Sequence, residues 1–172
     1  MRSTDRQHAA IHEAGHAVAH VRLGLGSREA SIAHQPGTLE RHVGAGTESV
    51  WLCADAERQV VAFCCGYAAC VASGDDHDTA EQAAWDDFAQ AEQLIAFWVL
   101  EGRLTDWQAR AVAFMQQPEN VRAVERVADE LLRRETLDAD WIEVLVRVAD
   151  GETTEAEYQA YLRSRGESTD GK

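Results

Sequence analysis

The chain has 172 residues, 45% of them hydrophobic, and a formal net charge of -14. That length suits a single domain able to bury a real core, and the acidic balance repels a phosphate backbone and argues against nucleic acid as a partner. The acids are dispersed, the usual solubilising pattern, and the opening stretch MRSTDRQH has no apolar core, so no leader peptide is expected.

The first predicted element is a helix over roughly residues 5–23. Thr4 and Gln7 are spaced as a capping box, Ile11, Ala14, Val18, Val21 and Leu25 form an apolar stripe, and Gly24 and Gly26 mark the end. Within it lies His12-Glu13-Ala14-Gly15-His16. On a helix, His12 and His16 stand one turn apart on the same face, where both imidazoles reach one metal ion without bending the backbone. Glu13 sits beside them as a candidate general base for a water on that ion. This is the HExxH arrangement of zinc peptidases, and its mid-helix position gives it the geometry it needs. His8 and His20 continue the row one turn each way and read as solvated or hydrogen-bonded helix residues.

Residues 24–50 are punctuated by glycines and Pro36. Glu29–Ala33 and His42–Ala45 read as short extended pieces, so a small β element, a strand or hairpin within about residues 28–47, is expected. Cys53–Ser73 reads as a helix apolar nearly all round, which should be surrounded by others. All four cysteines, Cys53, Cys64, Cys65 and Cys70, fall in it without paired CxxC spacing. They read as buried, reduced thiols rather than disulfides or zinc ligands. The longest uncharged apolar run, Val60 to Gly74, is too short to span a bilayer. A soluble, cytoplasmic protein is the expectation.

A polar break at 74–78 precedes helix signals from Thr79 or Ala84 to Leu100, ending at Gly102. Thr105 is placed to cap a helix over 106–117, and Pro118 to open one running to Arg134. Asp138 begins another, to Asp150, and Thr153 or Thr154 a last one to Arg163. The fold class is therefore mainly α with a small β element: one helical metallopeptidase-like domain over residues 1–165, then a disordered tail over 166–172. The five tryptophans, Trp51, Trp85, Trp98, Trp107 and Trp141, sit at helical spacings that favour the core over an oligomer surface.

Two histidines leave a zinc site incomplete; a third protein ligand is needed, with water in the fourth place. The extended signature HExxHxxGxxH fails, because Ala19 and Arg22 stand where it needs Gly and His. The polar candidates are His34, His42, Asp75, Asp76, His77, Asp78, Asp86 and Asp87, and spacing does not choose among them.

The stretch Ile11-His12-Glu13-Ala14-Gly15-His16-Ala17-Val18 resembles the zinc helix of FtsH-type proteases. Asp86-Asp87-Phe88-Ala89-Gln90-Ala91 is similar to that family's Asn-Asp-Leu-x-x-Ala, and Leu131 to Asp138 is similar to its Leu-Leu-x-x-Glu-Thr-Leu segment. The resemblance implies Asp87 as third ligand to Zn2+, with Asp86 and His77 as fallbacks, and a short strand beside the cleft that holds extended substrate. The chain departs from the family on its second helix, where Cys65-Gly66-Tyr67-Ala68-Ala69-Cys70-Val71 replaces Gly-Gly-Arg-Ala-Ala-Glu-Glu, and before the Asp, where Gln82-Ala83-Ala84-Trp85 replaces Ser-Thr-Gly-Ala. It also has no GxxxxGK[ST] phosphate loop and so no ATPase of that kind.

The expected function is a zinc-dependent metallopeptidase with Glu13 as general base, acting on unfolded or short polypeptides. Its expected partners are a polypeptide substrate and a separate ATPase or unfoldase, with neither nucleic acid nor membrane. The alternatives are a non-proteolytic zinc-binding helical interaction module and a metal-free helical interaction protein.

Overall fold

A computed structural model describes residues 3–26, 29–33 and 53–166. Among them the protein is mainly helical, with one small antiparallel sheet. The elements in chain order are α1 (Ser3–Arg22), β1 (Ala30–Ser31), α2 (Cys53–Ala72), α3 (His77–Ala83), α4 (Trp85–Trp98), α5 (Leu104–Met115), α6 (Pro118–Arg134), β2 (Thr136–Leu137), α7 (Ala139–Ala149) and α8 (Glu155–Ser164).

α2 is the hub. It packs against α1, α3, α4 and α5, while α1 also lies on α6. That arrangement answers its sequence: Cys64 to Cys70 are buried without a break, about two full turns, as an all-round apolar helix requires, while Glu57 and Arg58 keep its first turns exposed on one side. Cys64, Cys65 and Cys70 are buried free thiols, whereas Cys53, at the helix start, is exposed. The α1–α2 crossing is close because two glycines face it. A Cβ on Gly15 would lie 2.4 Å from the Cys65 carbonyl oxygen and 2.6 Å from Ala69 Cβ. No side chain fits there, so Gly15 lets the two backbones approach to contact distance.

Local punctuation sets most helix ends. Pro118 opens α6 at its first turn, Asp138 accepts from Trp141 N at 3.0 Å to cap α7, and Thr154 with Glu157 closes a capping box on α8. Three expectations are corrected. α1 begins at Ser3, so Thr4 lies inside it rather than at its cap. Thr105 lies inside α5, whose N-cap is Arg103, and the Asp106 carboxylate accepts from the Arg103 backbone N–H at 2.7 Å. The helical stretch expected up to Leu100 is divided at Ala84 and ends at Trp98, where Val99 takes a left-handed conformation with φ 52°.

The strand expected at Glu29–Ala33 exists as β1, two residues long. Its partner is β2, with Ala30 opposite Leu137 and Ser31 opposite Thr136. The extended piece expected at His42–Ala45 lies outside the described residues, as do Trp51 and the tail at 167–172. Of the other tryptophans, Trp107 and Trp141 are buried, Trp98 packs partly against the core, and Trp85 is exposed. No described helix is long and apolar enough to cross a membrane.

Candidate metal centre

His12 and His16 occupy successive turns of α1, and both rings turn toward α2 and α4. Their Nε2 atoms are 3.1 Å apart. Asp87, in the first turn of α4, brings its Oδ2 to 3.1 Å from His12 Nε2 and 3.2 Å from His16 Nε2. Two ring nitrogens and a carboxylate oxygen thus converge on one point, from residues more than seventy positions apart in the chain. His12 and His16 are mostly buried and Asp87 is about four-fifths buried.

α2 makes room for this convergence and orients it. The Ala62 carbonyl accepts from His16 Nδ1–H at 2.9 Å, which leaves His16 Nε2 with a lone pair when the ring is neutral. A carbonyl on the far nitrogen is the support that metal-binding imidazoles characteristically have. Gly66 faces the two rings. A Cβ there would fall 2.5 Å from His16 Nε2 and 2.7 Å from His12 Nε2, so only glycine leaves the space in front of the nitrogens open. His12 Nδ1 is buried with no hydrogen-bond partner among the described residues, so its ring is held by what meets the opposite nitrogen.

The electrostatics are those of a site that needs a positive charge. Burial, the largest influence on His16, works to lower its pKa. It is outweighed by the charge and hydrogen bond of Asp87, with help from Glu13 and the Ala62 carbonyl, and His16 is raised to about 9. Burial likewise works to raise Asp87, but the charge on His16 and the bonds from both imidazoles hold its carboxyl far below the ordinary range. Without a metal, the charge comes from a proton on the imidazole pair. A divalent cation held by the same three atoms would replace it. The donor set, two imidazoles and one carboxylate, is that of a catalytic zinc site with one open position. Donor chemistry and the open face at Gly66 fit such an ion.

Glu13 is half-buried and near enough for its charge to act on His16. The other sequence candidates go elsewhere. Asp86 is exposed. His77 Nδ1 and the Tyr67 hydroxyl share a hydrogen bond of 2.7 Å. Asp76 caps α3 through Thr79, and Asp78 is exposed in the first turn of that helix. His34 and His42 lie outside the described residues. His20 Nδ1 meets the Gly26 carbonyl at 3.2 Å. Asp75 reads from sequence as part of a solvated turn, yet it pairs with His8 at 2.8 Å, and His8 is thus one of the hydrogen-bonded helix residues expected.

Sequence reasoning passed over Ala62 and Gly66. The carbonyl of Ala62 carries no sequence signal. Gly66 does: a glycine inside an apolar helix costs about 1 kcal/mol relative to alanine, which asks for a packing reason. Elsewhere, α3, α4 and the start of α5 line a groove of about 480 Å³, with Trp85, Phe88 and Leu104 on its walls and Asp78, Glu81 and Glu92 around them; none of His12, Glu13, His16 and Asp87 lines it. Comparison with known proteins adds nothing to this geometry: no family model matches the chain, and no curated protein matches it.

Proposed function

We propose that this protein is a zinc-dependent metallopeptidase. The observation that carries the reading is the meeting of His12 Nε2, His16 Nε2 and Asp87 Oδ2 within 3.2 Å of one another, with Glu13 next to His12 in the chain. The resemblance of three separate stretches to FtsH-type proteases supports it.

In this proposal His12, His16 and Asp87 hold Zn2+, which when bound acidifies a water and polarises the substrate carbonyl. The Ala62 carbonyl keeps His16 in the tautomer that presents Nε2. Glu13 accepts the proton of the attacking water and delivers it to the leaving amine. Burial of the imidazoles and of Asp87 excludes bulk water and strengthens each of these interactions. β1 is the segment assigned to pair with extended substrate backbone, which gives broad sequence tolerance. Unfolded segments and short peptides are the substrates, and a separate ATPase or unfoldase is the partner for folded ones. The reduced state of the four cysteines favours a cytoplasmic setting.

One observation favours a second reading. The stretch of α2 behind the metal ligands, Cys65 to Cys70, is buried and uncharged, where FtsH-type proteases carry an arginine and acids. A module that uses zinc only to fix helix packing needs nothing more. Zinc content and casein cleavage separate the two. The peptidase reading expects about one zinc at this centre, cleavage of casein, and a loss of about 10²–10⁴-fold in Glu13→Gln with that zinc retained. Wild-type protein that holds zinc but leaves casein uncut supports the scaffold. Protein whose zinc content is unaffected by Asp87→Asn and His16→Ala refutes both.

A further inference from the structure

The α1–α2 seam carries a second convergence of donor atoms, one turn along both helices from the first. On α1, His8 precedes His12 by four residues; on α2, Cys70 follows Gly66 by four. Asp75, in the turn after α2, is drawn back to this level by its backbone N–H, which donates to the Cys70 carbonyl at 3.1 Å. His8 Nδ1 lies 2.8 Å from Asp75 Oδ2, and Cys70 Sγ lies 4.0 Å from His8 Nε2. One donor atom from each residue falls within 4.8 Å of both others.

We infer that His8, Cys70 and Asp75 form a second metal site, distinct from the His12–His16–Asp87 centre, for a borderline-soft divalent cation such as Zn2+ or Co2+. The donor set decides the class of ion. Imidazole with thiolate selects zinc and its neighbours, whereas magnesium and calcium require oxygen ligands throughout. The sulfur is fully buried, while the Asp75 side chain is about one-third exposed, which gives the ion a path in and a solvent-facing fourth position.

A reactive thiol is the competing account, and its surroundings argue against it. Burial, then the charge and hydrogen bond of Asp75, push the Cys70 thiol up to about 12. The metal-free side chain is therefore neutral and a poor nucleophile. Nor is a lone His8–Asp75 ion pair sufficient. It leaves unexplained why the Cys70 thiol gathers with them, its sulfur 4.0 Å from both the ring and the carbonyl of His8, too long for a strong hydrogen bond, and its donor atom within 4.8 Å of theirs. Tetrahedral bonds of about 2.0–2.3 Å set ligand atoms about 3.5 Å apart, so an ion would bring Cys70 inward and let His8 and Asp75 ease apart from 2.8 Å, both small movements. The ion's role is to clamp the turn after α2 onto α1, and so to hold the entrance to α3 and α4.

The test is titration of the metal-free full-length chain with Co2+ alone, followed by absorbance. Two equivalents are expected, one of them bringing the near-ultraviolet thiolate-to-cobalt charge-transfer band. Cys70→Ser and Asp75→Asn should each bind one equivalent without the band. Asp87→Asn should bind one equivalent and keep it. Asp75 is partly exposed, so its variant serves if Cys70→Ser fails to fold. Saturation of the wild type without the band, or a band that survives Cys70→Ser, overturns the site. A single equivalent that carries the band and is lost in Cys70→Ser upholds this site while counting against the peptidase centre.

Discussion

The C-terminal end and the middle of α1 treat polar groups in opposite ways. At its C-terminal end, every charge meets its complement. The Arg22 guanidinium grips Asp150 with two bonds of 2.6 Å and reaches Asn120 at 3.1 Å, and Asn120 in turn donates to the Phe114 carbonyl at 2.8 Å. At the other end of α7, Trp141 donates to the Tyr158 hydroxyl at 3.1 Å, and the Arg134 guanidinium stacks 4.0 Å over the Trp141 ring. In the middle of the helix, two imidazole nitrogens face each other and a carboxylate, and among the described residues the far nitrogen of His12 has no partner. A scaffold gains stability by pairing its polar atoms. A site that leaves lone pairs converging keeps them for something that arrives.

The largest effect expected to break this contrast is Gly66→Ala. Its Cβ would press on both Nε2 atoms, so one ring must rotate away. Zinc affinity should fall about 100-fold, a loss typical of disturbed ligand support, and the metal-free fold should lose about 2 kcal/mol to overpacking. Equilibrium dialysis with ⁶⁵Zn and thermal melts read the two separately. Unchanged zinc affinity would mean that the space at Gly66 is not what the imidazoles use.

Next comes pH. His16 is raised in the folded protein from 6.5 to about 9. Its contribution is therefore fully present below about 6.5 and is lost as pH rises through 9. By urea melts, the metal-free protein should weaken across that window by an amount on the order of 3 kcal/mol. Asp87, depressed in the fold, contributes in the opposite sense: its share is present above its ordinary value near 3.8 and disappears as acid protonates it. With zinc bound the alkaline loss should vanish, because the cation takes the proton's place and binds better as pH rises. A metal-free stability that stays flat from pH 6.5 to 9 sinks this account.

At the paired end, Arg22→Ala should cost about 2 kcal/mol by leaving Asp150 without its partner, with no change in zinc content. Loss of zinc in this variant would show that the paired end and the centre are coupled. The smallest effect is Tyr158→Phe, about 1 kcal/mol for the indole N–H left unbonded, read as a lowered urea midpoint at constant slope.

Elements punctuated by their own residues were legible in the sequence. α6 runs from Pro118 to Arg134 as its proline and apolar period predict, and Asp138 and Thr154 cap where they were placed. Where capping chemistry had several bidders, the neighbour won: Arg103 with Asp106 displaces Thr105. The β element shows the same limit at longer range. A two-residue strand has no periodicity of its own, and β1 found its partner more than a hundred residues away at Leu137.

The HExxH spacing and the helix around it are set by the 3.6-residue turn, so the pairing of His12 with His16 and the adjacency of Glu13 belong to the amino-acid sequence alone. Tertiary structure alone brought Asp87 rather than Asp86 or His77 to those rings, turned the Ala62 carbonyl onto His16, and gathered His8, Cys70 and Asp75, three residues that each looked ordinary in isolation. The reason is physical. Positions within one helix are related by a fixed local geometry, whereas meetings between helices depend on how closely small residues such as Gly15 and Gly66 let the backbones approach, and on which face the core then buries.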